Sequence, residues 1–446
     1  MSRPAPPLPP APAEPKATAG GERPLPQTET PAATPADKSS IAVLPFTNMS
    51  GDAEQEYFSD GMTEDLITDL SRLPDFFVIA RNTTFTFKGK SVNVQEVGRE
   101  LGVRYVLEGS VRKAGNQVRI NAQLIDTGSG GHLWAQRFDG NLDNVFALQD
   151  KITGEIVTAI TRRLGTTPTP TASRTAAQGQ YRETGNVAAY EEFLQGWAFY
   201  NRPSPENYAT AVSHFERSLE LDPAYARSHA ALASVYWEVW KRFWQRPLGL
   251  PENYAAWEKA DQSLQEALRV PSPLAYRVSS EMLLINRRFD KAAAEARAAI
   301  ELDPNDALGY VVLANARTFA GDAGAAVGLI QKAMQLDPRY PPSYLFSMAL
   351  AEFSLERYAE AANHLTTAIE RNDRDPFWLT LLIAVYGQLN ETEKAKQVLT
   401  RLNALQHAAG MPRFTIGWPT GRWPFQNNDD MMRFRNGLRA GGMPEG

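Results

Sequence analysis

The chain has 446 residues, 43% of them hydrophobic and 22% charged, with a formal net charge of −5. Single cores stop growing near ~250–300 residues, so two or more domains are expected, while so small a charge gives no field that would draw a nucleic-acid backbone or an anionic membrane surface. The absence of cysteine removes disulfides, thiolate nucleophiles and cysteine-ligated metals together.

Residues 1–38 hold 11 of the 31 prolines, a composition with too little apolar surface to offset the entropy of ordering, and the stretch reads as a disordered, partly polyproline-II linker. Met1-Ser2-Arg3-Pro4 opens without an apolar signal region, and no apolar run approaches the ~20 residues of a membrane span. The expectation is a chain that does not insert in a membrane, cytoplasmic as it stands and periplasmic if an upstream anchor belongs to it.

From Ser39 the pattern changes. Ile41–Phe46 is a short apolar run of the kind buried on both faces of a sheet. Leu66, Ile67, Leu70 and Leu73 recur at helical spacing, with Asp60 or Thr63 as the cap and Pro74 as the stop before a second strand, Phe76–Ala80. Asp60, Glu64, Asp65 and Asp69 on that helix read as ordinary solvated charges. Asn93 with Glu96 looks like a capping box opening a short helix whose Val94, Val97 and Leu101 share a face. Arg104–Lys113, Gln117–Asp126 and His132–Asp139, joined by glycine-bearing turns, predict an antiparallel meander, and a helix over Asn144–Arg163 closes the unit. Residues 39–165 thus predict a small mixed α/β sheet domain, and 166–186 a Thr/Pro/Ser-rich linker.

The C-terminal half repeats. Small or apolar residues spaced i, i+4, i+7 recur as Ala211/Phe215/Ser218, Ala260/Leu264/Ala267, Ala292/Ala296/Ala299, Ala326/Ile330/Ala333, Ala361/Leu365/Ala368 and Ala395/Leu399/Leu402, at intervals of 49, 32, 34, 35 and 34 residues. Leu-Asp-Pro follows three of them, at Leu221–Pro223, Leu302–Pro304 and Leu336–Pro338, where each proline ends one helix and admits the next. Small residues in the preceding helices, Gly196, Ala233, Ser280, Ala314 and Ala349, let paired helices approach. The pattern resembles the tetratricopeptide repeat over residues 187–405, about six hairpins. The expected fold class is α+β multidomain, a small mixed α/β sheet domain followed by an all-α tetratricopeptide superhelix. An insertion begins at Lys241-Arg242-Phe243-Trp244, and the last hairpin, which lacks the proline stop, is expected to act as a cap. The tail, 406–446, carries Trp418, Trp423 and Phe425 and then Met432, Phe434 and Leu438, and docking onto the solenoid end would keep its aromatic rings from solvent.

Chemistry is hard to find. Gly89-Lys90-Ser91 imitates the end of a phosphate loop, but the required first glycine is Thr84, and Phe85–Lys88 alternates like a strand. Gly128-Ser129-Gly130-Gly131 reads as a turn, and His132, His214, His229, His364 and His407 show no ligand pairing. No catalytic, metal or cofactor site is assigned. What remains is a surface: in stacked hairpins the first helix of each pair lines a concave groove, and the register puts Tyr190, Trp197, Arg227, Trp237, Arg277, Glu281 and Asn315 there. Aromatic and arginine side chains are the usual anchors of recognition, so the expected partner is a protein or peptide. Trp197 and Trp237 fit packing between repeats equally well.

Ser40–Phe46, Tyr57–Leu66 and Leu101–Arg112, continued by Gln123–Asp126 and His132–Trp134, resemble the TolB N-terminal-like (FlgO-like) domain that precedes tetratricopeptide arrays in many bacterial proteins. In that family the pairing often forms the C-terminal part of class III adenylate or guanylate cyclases, or of winged-helix regulators, and Gly437–Glu445 resembles the end of such cyclase-associated chains. The resemblance implies a sensory or envelope-associated interaction role and carries over no catalytic residue. The expected function is a non-catalytic interaction scaffold with a regulatory role. Its alternative is the sensory part of a cyclase-type signalling system, with the α/β domain binding a ligand or envelope partner.

Overall fold

Ser39-Ser40-Ile41-Ala42-Val43 forms strand β1 (Ser39–Val43) and is buried at every position, as a central strand covered on both faces must be. The computed structural model describes residues 39–73, 75–164, 184–251, 253–372, 375–408, 411, 413–420 and 422–445; the linkers expected at 1–38 and over most of 166–186 lie outside them. The sheet domain continues with β2 (Thr47–Asn48), α1 (Glu56–Ser71), β3 (Phe76–Val78), the single turn α2 (Arg81–Thr84), α3 (Val94–Leu101), β4 (Tyr105–Ala114), β5 (Gln117–Asp126), β6 (His132–Asn141) and α4 (Val145–Leu164).

Helix α1 starts a turn earlier than the expected caps. Asp52 accepts from the Glu54 amide at 2.9 Å, and the 3-10 turn it caps runs straight into the helix. The strand-like run Phe85–Lys88 is instead a 3-10 turn. Its alternation serves two cation contacts, Arg81 over Phe85 at 4.0 Å and Arg339 over Phe87 at 4.3 Å. Asn93 caps α3 through the Gln95 and Glu96 amides, as its spacing predicted.

Strand order is β3-β1-β4-β5-β6, with β1 parallel to β3 and β4, and β4, β5 and β6 an antiparallel meander. Ile41, Val43, Tyr105 and Leu107 face Phe58, Met62 and Leu66 of α1 and Ile152 and Ile156 of α4. On the other face Ala42, Leu44 and Val106 meet Val97 and Leu101 of α3.

Six helical hairpins follow: α5 (Val187–Tyr200) with α6 (Pro205–Leu221), α7 (Ala226–Arg242) with α8 (Asn253–Ala267), α9 (Pro273–Ile285) with α10 (Phe289–Leu302), α11 (Ala307–Phe319) with α12 (Ala323–Leu336), α13 (Ser343–Ser354) with α14 (Tyr358–Arg371), and α15 (Pro376–Gln388) with α16 (Thr392–Ala408). Proline at the first position of α6, α9 and α15, behind the caps Ser204, Ser272 and Asp375, fixes where those helices begin. Ala292/Ala296/Ala299 and Ala361/Leu365/Ala368 are fully buried, and the other triplets also lie on second helices.

The tail adds the short α17 (Gly417–Thr420) and α18 (Asn428–Ala440). The cap of the array is α18 rather than the last hairpin. Helix α15 is buried from Trp378 to Val385, and a helix apolar all round needs cover on both sides. A Cβ on Gly387 would lie 1.9 Å from the Gly437 carbonyl oxygen, so the backbones of α15 and α18 touch where both residues are glycine.

Candidate functional site

The expected groove residues do not line an open trough: the chain's own sheet domain sits on several of them. Helix α1 packs on α5 so closely that a Cβ on Gly61 would meet Leu194 at 2.5 Å. Across that contact the Tyr190 hydroxyl and the Trp197 indole N–H donate to Asp65 and Glu64. Arg227 Nη2 donates to Asp65 Oδ1 at 3.0 Å, and Gln149 Nε2 of α4 donates to Asp65 Oδ2 at 2.8 Å. The acidic face of α1, read from the sequence as solvated, is the hub of this contact: Asp65 is 8% exposed, Glu64 also takes Arg81 at 2.7 Å, and Asp60 takes Lys88 at 2.6 Å.

Trp237, Glu281 and Arg277 pair within the array. The Trp237 indole N–H and Lys241 both donate to Glu281, and Arg277 donates to Asp306. Trp237 is 2% exposed and stacks on Trp240 at 4.9 Å. Asn315 Oδ1 is buried and has no partner among the described residues. The structure therefore brings Tyr190, Trp197 and Arg227 together, sets Arg277 in one cavity with Trp197 and Arg227, and pairs Trp237 with Glu281.

Two of the Leu-Asp-Pro turns do more than end a helix. Strand β3 is the outer strand of the sheet, and its free side would expose unpaired amides. Asn305 replaces the missing neighbour: its Oδ1 accepts from the Val78 amide at 3.1 Å, and its Nδ2 donates to the Phe76 carbonyl at 3.0 Å and the Ser71 carbonyl at 2.7 Å. Ser71 donates to Asp303 at 2.8 Å. One repeat further on, the Ala80 amide donates to the Leu336 carbonyl at 2.8 Å and Thr83 to Asp337 at 2.6 Å. Leu44, Phe77 and Ile79 share one apolar cluster with Ala307, Val311, Leu336 and Tyr344. Sheet and array therefore form one packed body.

A cavity of about 350 Å³ remains at this junction, lined among others by Asp65, Asp69, Arg72, Arg227, Asp303 and Asp306. Burial, then the neighbouring Asp65 carboxylate, pushes the Asp69 pKa up to about 6. Burial, then Asp306, raises that of Asp303. Because the folded pKa of Asp69 lies above its unfolded value of ~3.9, the folded state binds the extra proton. The stability this confers is complete below about pH 4 and is lost as the pH rises through about 6. Asp69→Asn is expected to raise the unfolding free energy at pH 7 by roughly 1–2 kcal/mol and to lose that advantage at pH 4. Urea titrations of both proteins at the two pH values check this, and an equal difference at both would contradict it.

Another part of the inner helices is covered by the tail. Trp418 packs on Phe243 at 5.6 Å, Trp423 on Phe346 and Phe377 at 6.1 and 6.5 Å, and Phe425 on Phe319 at 5.0 Å. The Gln426 amide donates to the Phe319 carbonyl at 2.8 Å and Arg287 to the Phe425 carbonyl at 2.7 Å. The tail thus docks, as its aromatic content suggested, but it runs back along the inner face to the second hairpin instead of stopping at the solenoid end. The insertion contributes Phe243, whose backbone is left-handed at φ 59° as it ends α7.

An array of tetratricopeptide-type hairpins led by a mixed α/β domain is the class this geometry defines. Residues 37–155 match the family described as HilA/YgeH-like transcriptional regulator, second domain. Over 210 residues, 46% of its length, the chain is 48% identical to "Putative adenylate cyclase 3" of Rhizobium meliloti (strain 1021), and the match covers 34% of that protein. The chain spans about a third or less of the length of the curated relatives it matches. A solved structure of PilF from Pseudomonas aeruginosa superposes with a TM-score of 0.35 and 18% identity, over 51% of this chain and 94% of that one. The structure of TolB from Acinetobacter baumannii does so with a TM-score of 0.23 and 19% identity, over 29% and 30%. Among the described residues no helix is long and apolar enough to cross a membrane, and no group of carboxylates and histidines is placed to hold a metal ion.

Proposed function

We propose that the chain is a non-catalytic interaction scaffold with a regulatory role, which receives a protein or peptide on the inner face of its helical array. One observation carries the reading: the inner helices already bind two separate segments of polypeptide in cis, the sheet domain and the aromatic tail. The sheet domain is bound through a buried carboxylate hub and the tail through ring contacts, and the tail-covered part is taken as the region that receives a partner. The test is capture of a partner by the full-length chain from extracts of its host, with Trp240→Ala as the comparison. Identification of a partner whose binding is lost in that variant, with the melting curve preserved, supports the reading. A partner bound equally by both proteins would place recognition elsewhere.

The identity to the Rhizobium relative favours a second reading, in which this chain is the sensory or regulatory part of an adenylate cyclase-type system and the α/β domain binds a ligand or envelope partner. Under it, the purified chain makes no cyclic nucleotide, and adding it changes the output of a cyclase encoded beside it; no change in that output would count against it.

A further inference from the structure

Two adjacent donors on the tail, Arg422 Nη1 and Trp423 Nε1, are buried and have no hydrogen-bond partner among the described residues. The Arg422 guanidinium lies 4.3 Å from the Trp240 ring centre, 4.5 Å from that of Phe243 and 5.3 Å from that of Trp418. Burial alone pulls its pKa down to about 10; among the described residues no salt bridge joins it to a carboxylate. A segment whose role was to close the core would be served by an apolar side chain here, because buried donors are ordinarily paired. A guanidinium stacked on aromatic faces is how cationic groups are recognised.

We infer that the Trp240–Phe243 surface is a recognition site for a peptide presenting an arginine followed by aromatic residues, and that Arg422-Trp423-Pro424-Phe425 holds it in cis as a stand-in. This rests on the inner-face reading above and names the chemistry of its partner. The main-chain bonds, from the Gln426 amide to Phe319 and from Arg287 to the Phe425 carbonyl, are ones any extended peptide can reproduce, so selectivity falls to the arginine and the rings. Helix α18 is anchored to the array through the Gly387–Gly437 crossing and by Arg433 Nη1 donating to the Ser354 carbonyl at 3.1 Å, and its Phe434 stacks on Trp423 at 4.5 Å. Tethering gives the cis segment an effective concentration of ~mM, so an added peptide competes poorly until the tail is weakened.

The probe is a fluorescein-labelled synthetic peptide of residues 415–427, followed by polarisation on the full-length chain. R422Q/W423A is expected to bind it at least tenfold more tightly than the unaltered chain does. A peptide carrying glutamine in place of its arginine is expected to lose at least tenfold, as is the peptide on R422Q/W423A/W240A. Equal affinity of the double variant and the unaltered chain, or indifference to the peptide's arginine, overturns the proposal. Should the double variant not fold, hydrogen exchange of the unaltered chain decides: residues 415–427 are expected to exchange faster than 428–440, and equal protection overturns the proposal. A partner whose binding is lost in Trp240→Ala, alongside a peptide that binds neither protein, would leave the inner-face reading standing and remove only the chemistry assigned here.

Discussion

Asp65→Ala is expected to lower the unfolding free energy by about 2–4 kcal/mol, since each buried donor that loses its acceptor costs ~1–3 kcal/mol. Three donors lose a bond to this carboxylate at once, the Tyr190 hydroxyl, Gln149 Nε2 and Arg227 Nη2, although Gln149 keeps its bond to the Tyr190 oxygen at 3.0 Å. The Tyr190 ring is fully buried and cannot turn to water. Pairing the change with Arg227→Met should recover part of the loss, because the guanidinium that faced the carboxylate is then gone. Urea unfolding followed by tryptophan fluorescence measures both, with Trp197 reporting directly through its bond to Glu64, one residue away. A loss under about 1 kcal/mol would mean that the α1–α5 contact is held by its apolar packing alone.

Asn305→Ala should cost about 2–4 kcal/mol, since each buried group left unsatisfied costs ~1–3 kcal/mol. The residue is 7% exposed, and its amide serves the Val78 N–H and the carbonyls of Phe76 and Ser71. Faster exchange of the Val78 amide should accompany the loss of stability, because β3 then has a partner only on its β1 side. Unchanged exchange at Val78 would show that the side chain is not what seals the edge.

Much of the architecture can be read from the residues. The meander is visible because Val118, Ile120, Ala122 and Leu124 are buried while Gln117, Arg119 and Asn121 are exposed, and period-two alternation is local information. The hairpins are visible because each triplet packs against its own partner helix. The site is less legible, because many of its contacts join residues more than a hundred positions apart. Asp65 and Arg227 stand 162 positions apart, and Ser71 and Asp303 stand 232 apart. A row of acids on a helix has the same sequence signature whether water or another domain faces it. One signal was available: Asp60, Glu64 and Asp65 interleave with Phe58, Gly61, Met62 and Leu66, all buried, and so wide an apolar arc leaves little of the helix for solvent. The groove residues were correctly placed on first helices. What periodicity could not supply was their occupant, since nothing in a repeat encodes what lies against it.

The clasp on the outer strand constrains how this chain can change in length. Asp303 and Asp337 stand one repeat apart, and they grip Ser71 and Thr83, on either side of β3, in register. Solenoids commonly gain or lose whole units, because each unit touches only its neighbours. Here a hairpin added or removed between α5 and α13 would bring the wrong turn opposite Phe76–Ala80, with α1 still fastened to α5. The distance from the first unit to the fourth therefore acts as a ruler cut to the width of the sheet domain.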